Sequence, residues 1–94
     1  MKLLWASTAR AEMRAAFTYI ASQNPKAARR VLAEIRTSAA KLALFPSLGR
    51  PGRVAGSREL VITRTPYVAA YCVRQDAVII LHVFHGARLW PSEL

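Results

Sequence analysis

The stretch that most constrains the fold of this chain is its last third, Arg58 to Pro91, RELVITRTPYVAAYCVRQDAVIILHVFHGARLWP. It reads as three consecutive strands. Leu60-Val61-Ile62 forms the first, Tyr67 to Val73 the second after the break at Pro66, and Ala77 to His85 the third. Arg74-Gln75-Asp76 makes the hairpin turn between the last two. Ala77 to His85 is almost unbroken apolar sequence, the pattern of a strand buried on both faces. Such a strand needs a covering layer. The apolar residues do not explain why Arg58, Arg64, His85, Arg88 and Trp90 gather around the strand ends.

The residues upstream supply that layer. Lys2 to Trp5 is a short apolar run and a candidate first strand. Ser7 or Thr8 can cap a helix, because either hydroxyl can accept from a free backbone amide. Met13, Ala16, Phe17 and Ile20 then fall on one helical face, and this helix should end near Gln23. Asn24 suits the next N-cap, and Pro25 suits the first helical position, where its missing N–H costs nothing. The second helix carries Ala28, Val31, Leu32, Ile35, Ala39 and Leu42 on one face and must stop before Pro46. So short a turn makes the pair an antiparallel αα-hairpin. Phe45 to Gly56 holds two prolines and three glycines and reads as a loop. The order is β-α-α-β-β-β. It predicts an α+β fold in which a small, antiparallel-dominated sheet carries the N-terminal αα-hairpin on one face. Ninety-four residues allow one domain, 1–94, with a thin core of one sheet against one helical layer.

The charge balance narrows the partners. Fourteen Lys and Arg stand against five Asp and Glu, for a net charge of +9. Only Lys2, Lys26 and Lys41 are lysines, so arginine dominates, and its planar fork suits phosphate and carboxylate. Such a surface favours nucleic acid or an acidic protein. A single cysteine, Cys72, excludes an intramolecular disulfide and fits a reducing compartment. MKLLWASTAR lacks the apolar run of a signal peptide, and no stretch approaches the roughly 20 apolar residues of a membrane span. The expected location is the cytoplasm.

Several chemistries fail on residue count. His82 and His85 are three apart on a strand and point to opposite faces, with no second cysteine or acidic cluster nearby, so no metal site is expected. LGRPGR, from Leu48 to Arg53, lacks the pattern of a nucleotide-binding loop, and no cofactor is expected. Glu59 is the only acid between Glu34 and Asp76; flanked by Arg58, it reads as a salt-bridged structural carboxylate. RNA cleavage needs less machinery. His85 could move a proton while Arg58, Arg64 and Arg88 stabilise a phosphorane, with Tyr67 or Tyr71 stacking on a base. The same arginines, with Trp90, could equally bind protein, since Arg and Trp dominate interface hot spots.

The order of elements, together with NPKAA, LGRPGR, SRELVI, TPYVAAY and HVFHGARLWP, resembles the RelE/ParE superfamily of bacterial toxins from about Leu4 to Pro91. The resemblance implies a compact toxin neutralised by a partner antitoxin, a hetero-oligomer. RelE-like members cleave messenger RNA on the ribosome; ParE-like members poison DNA gyrase without RNase chemistry. The RelE branch carries an arginine three positions before the tyrosine of the TPYVAAY phrase, where this chain has Val68 before Tyr71. That branch also has a tyrosine or equivalent acid-base residue near the C-terminus and a lysine-rich loop. Here Arg88 is followed by Leu89, Trp90, Pro91, Ser92, Glu93 and Leu94, and the loop has only Arg50 and Arg53. These departures favour a ParE-like gyrase inhibitor with a ParD-like antitoxin and no catalysis of its own. His85 keeps a RelE-like endoribonuclease as the alternative, and a non-toxic nucleic-acid-binding module is the third. Arg58, Arg64, His85, Arg88 and Trp90 are the expected target-binding residues. Met13, Phe17, Ile20, Val31, Ile35 and Leu42 on the hairpin are the expected antitoxin-binding residues.

Overall fold

The computed structural model describes residues 1–87. Its elements are β1 (Lys2–Trp5), α1 (Ser7–Ala21), α2 (Pro25–Leu44), β2 (Arg50–Pro51), β3 (Arg58–Val61), β4 (Tyr67–Arg74) and β5 (Ala77–His85). The five strands form one sheet in the order β1-β5-β4-β3-β2. β1 lies parallel to β5, and the remaining neighbours pair antiparallel. The αα-hairpin packs on one face of this sheet, as the hydrophobic pattern predicts. The one element missed is β2. Within the segment read as loop, Arg50 and Pro51 pair with Glu59 and Arg58 of β3.

Both helices are rich in alanine and straight-chain residues, which favour the α conformation. Asn24 caps α2 as expected, its side-chain oxygen accepting the Ala27 N–H at 3.1 Å, with Pro25 in the first turn. α1 departs from expectation. Its N-cap is Ala6, with no side-chain cap, and neither Ser7 nor Thr8 takes that role. The Ala6 N–H still donates to the Ile80 carbonyl, so the sheet ladder sets where the chain leaves β1.

The core lies between the layers. Ala9 of α1 and Val31, Ile35, Ala39 and Leu42 of α2 meet Ala69 and Tyr71 of β4 and Val78, Ile80 and Val83 of β5. β5 is an interior strand, paired with β1 on one side and β4 on the other. Its alternation slips once. Ala70 pairs with His82 but Tyr71 pairs with Ile80, leaving Leu81 as the extra residue of a β-bulge. Val78, Ile80 and Val83 therefore all face the helices despite the odd spacing between the last two.

Tyr71 joins this core to the irregular segment after α2. Its ring is fully buried. Its hydroxyl donates to the Pro46 carbonyl at 2.7 Å and accepts the Gly49 N–H at 2.8 Å. A β-carbon on Gly49 would come within 2.8 Å of that hydroxyl and of the Glu59 carbonyl, so the close approach requires glycine. Tyr71→Phe keeps the ring but strands both backbone groups. It should lower unfolding stability by about 1–3 kcal/mol in a urea titration. An unchanged midpoint would mean that water replaces the hydroxyl.

Candidate functional site

The structure divides the expected target-binding residues. Arg58 opens β3, and its guanidinium donates to the carbonyls of Gly49 at 2.7 Å and Ser47 at 3.4 Å. Arg64 lies in the turn after β3, with φ 62°, and donates to Glu34 of α2 at 3.0 Å. Its carbonyl accepts from Arg30, also at 3.0 Å, so the turn is tied to α2 twice. His85 ends β5 and sits edge-on to Tyr67, with ring centroids 5.7 Å apart. Its Nδ1 accepts the Ala87 N–H at 3.2 Å, an arrangement that places the proton of a neutral ring on Nε2. The Gly86 N–H donates to the Pro66 carbonyl, so His85 and the Arg64 turn share one end of the sheet. Arg58 lies at the other end of β3. Arg88 and Trp90 lie outside the described residues.

Among the described residues Glu59 is the buried charge, 2% exposed. It is salt-bridged as expected, but not by Arg58. Arg50 reaches one carboxylate oxygen at 3.3 Å and Arg53 the other at 3.5 Å, and the Arg53 backbone N–H donates to that second oxygen at 3.2 Å. The reason is strand geometry. Arg58 and Glu59 are successive strand residues and point to opposite faces. The Arg53 guanidinium also lies 5.9 Å over the Phe84 ring, folding the 52–57 loop onto the face of the sheet away from the helices.

Glu12 was not singled out by sequence, yet it completes the sheet. β1 pairs with β5 from Lys2 opposite Ala77 only as far as Trp5 opposite Ile80. Past that point β5 has no strand neighbour on this side among the described residues. There the Glu12 carboxylate accepts the Val83 N–H at 3.0 Å and contacts His82 Nδ1 at 3.2 Å. The signal available in sequence was the length mismatch between a four-residue first strand and a nine-residue last one. The backbone left over had to be satisfied by the helix that follows the short strand. The two histidines thus have separate partners.

The α1–α2 surface holds two adjoining apolar hollows. Met13, Arg14, Phe17, Thr18, Leu32 and Arg36 line one, and Leu3, Trp5 and Arg10, again with Met13 and Arg36, line the other. Met13 and Phe17, expected to meet an antitoxin, lie in this groove. Ile20 packs against the core. Val31, Ile35 and Leu42 correct that expectation. They are at most 6% exposed because their face of α2 packs into the core against the sheet. Leu32, Trp5 and Leu3 are the apolar lining residues not expected in that role.

These ion pairs predict distinct mutational costs. Arg50→Ala with Arg53→Ala leaves a carboxylate buried without a cation and should cost on the order of 3 kcal/mol. Either single change should cost clearly less, because one guanidinium remains. Chemical denaturation of the two singles and the double would show it, and additive small losses would contradict it. Glu12→Ala, which strands the Val83 N–H, should cost about 1–2 kcal/mol, and Glu12→Gln less, since its amide oxygen still accepts.

Comparison with known proteins places this geometry. The family model described as the ParE toxin of the type II toxin–antitoxin system parDE matches residues 3–90. Y4kP of Sinorhizobium fredii, named as a candidate toxin, is 45% identical over 76 residues, covering 81% of this chain and 78% of its own. The toxin RelE2 of Caulobacter vibrioides is 38% identical over 88 residues, covering 94% of this chain and 98% of its own. Among solved structures, a chain of the chromosomal ParDE toxin–antitoxin system from P. aeruginosa superposes with a TM-score of 0.82 at 26% identity, covering 90% of this chain and 95% of that one. The resemblance drawn from the phrases NPKAA to HVFHGARLWP therefore holds along the chain, and the protein belongs to the ParE toxin family of type II toxin–antitoxin systems.

Proposed function

We propose that this toxin inhibits DNA gyrase by binding it, that it has no nuclease chemistry, and that a cognate ParD-like antitoxin neutralises it by seating an acidic amphipathic segment on the α1–α2 groove. The observation that carries the reading is the ParE family match across residues 3–90. The likeness to a ParDE chain at TM-score 0.82 supports it. So does the placement of the side chains that nuclease chemistry would need. Arg58 and Arg64 lie at opposite ends of β3, and each is engaged within the fold, Arg58 with backbone carbonyls and Arg64 with Glu34. The tail beyond the described residues, with Arg88 and Trp90, is the proposed target contact, alongside His85 at the end of β5.

The name of the Caulobacter vibrioides relative, RelE2, keeps one second reading, a ribosome-dependent endoribonuclease. A supercoiling assay beside primer extension on ribosome-bound messenger separates the two. The purified chain should block gyrase supercoiling and leave the messenger intact, so that His85→Ala has no cleavage to abolish. Cleavage by the parent chain, lost in that variant, would move the assignment to the nuclease. Arg88→Ala should keep the melting temperature within a few degrees and weaken both growth inhibition and gyrase inhibition. A folded, fully toxic variant would remove Arg88 from the contact. Antitoxin binding should weaken as salt rises, because a net charge of +9 steers an acidic partner. Salt-independent binding would contradict that.

A further inference from the structure

Resting on the reading of the α1–α2 groove as the antitoxin seat, we infer that Arg36 is the residue that selects the partner. The segment it admits has two large apolar side chains one helical turn apart and a carboxylate placed between them. The groove is built as two rungs across antiparallel helices, with Met13 and Phe17 on α1 facing Arg36 and Leu32 on α2. The rungs are about 6 Å apart, four residues at 1.5 Å each. Three of these four positions are apolar. The fourth is an exposed arginine that lines both hollows. Among the described residues it has no hydrogen-bond or ion-pair partner, so no contact described within the fold accounts for a cation there.

Three of the four acids among the described residues are committed elsewhere. Glu12 caps the Val83 N–H, Glu34 holds Arg64, and Glu59 is buried under Arg50 and Arg53. Arg10 and Arg14 add further positive charge to the lining. Any partner that covers the groove removes water from the Arg36 guanidinium, and that is unfavourable unless the partner brings a carboxylate to meet it. Arg36 therefore rejects a purely apolar helix and a second copy of this basic chain alike, while the two hollows reject an acidic segment without apolar side chains. The spacing of the rungs fits apolar residues at i and i+4 of a helix lying along α1.

The test uses helix-stapled, fluorescein-labelled peptides with leucines at i and i+4 and a Glu, Gln or Arg moved through the positions between them. Binding is read by anisotropy at fixed ionic strength. The intact chain should prefer the best Glu peptide over its Gln counterpart by roughly tenfold or more. Arg36→Glu, checked for an unchanged melting temperature, should reverse the preference toward the Arg peptide. Arg74→Glu makes the same change of net charge at the β4–β5 turn and should leave the order of preference intact. Binding without a Glu preference, or an equal loss from the Arg74 change, overturns the role of Arg36 and leaves the groove as a docking surface. If no peptide of the series binds the unaltered chain, both the groove reading and this inference fall.

Discussion

The hydrogen-bond ladder along β5 is the constraint from which the rest of the structure follows. β5 is held by β1 on one side and β4 on the other, and its inward residues meet both helices. Because β1 spans only Lys2–Trp5, the ladder runs out on that side after Ile80. The Ala6 N–H extends it by one bond, and Glu12 of α1 supplies the next acceptor at Val83. The helix that follows β1 thus begins where the sheet needs it. The bulge at Leu81 lies in the same stretch and returns Val83 to the core face. On the opposite flank, β4 carries Tyr71, whose hydroxyl fixes the chain between α2 and β2.

The distribution of charge follows from how the few acids are used. Three of the four carboxylates among the described residues serve the fold: Glu12 at the open side of β5, Glu34 at the β3–β4 turn and Glu59 under the 52–57 loop. Glu34 and Glu59 draw their partners from a large excess of arginine, while Glu12 meets His82, so among the described residues most cations have no carboxylate partner. From sequence, Arg58 and Arg64 read as target-binding residues and Arg50 and Arg53 as loop cations. In the fold they anchor loops and turns. Among the described residues Arg10, Arg14 and Arg36 have no such task, and they border the apolar groove. An acidic, amphipathic partner matches that combination on both counts, through apolar contact and through charge.

Much of the architecture was legible because its signals are local. Asn24-Pro25 marks a helix start through the chemistry of two adjacent residues, and the apolar run from Ala77 marks an interior strand. What escaped was set by distant pairing. Arg50-Pro51 is too short to show a period and becomes a strand only because β3 lies beside it. Ser7 and Thr8 carry the right side chains for a cap, yet the ladder to Ile80 decides where α1 begins. The candidate site was legible only in part. Met13 and Phe17 reach the groove. Val31, Ile35 and Leu42 share the apolar pattern but cover the sheet, because periodicity identifies an apolar stripe and not which neighbour it meets. Arg36, polar in composition, gave no sign of standing in an apolar lining until α1 was laid beside α2.

The central claim is that the surface is divided, with the α1–α2 groove left for the neutralising partner and the arginines of β2, β3 and their loops engaged within the fold. Hydrogen–deuterium exchange on the toxin, free and bound to its antitoxin, tests this most directly. The account predicts that binding slows exchange in α1 and α2 around Met13, Phe17, Leu32 and Arg36 and at β1, while Arg50 to Glu59 exchanges alike in both states. Protection confined to the 50–59 region, with α1 and α2 unchanged, would contradict it.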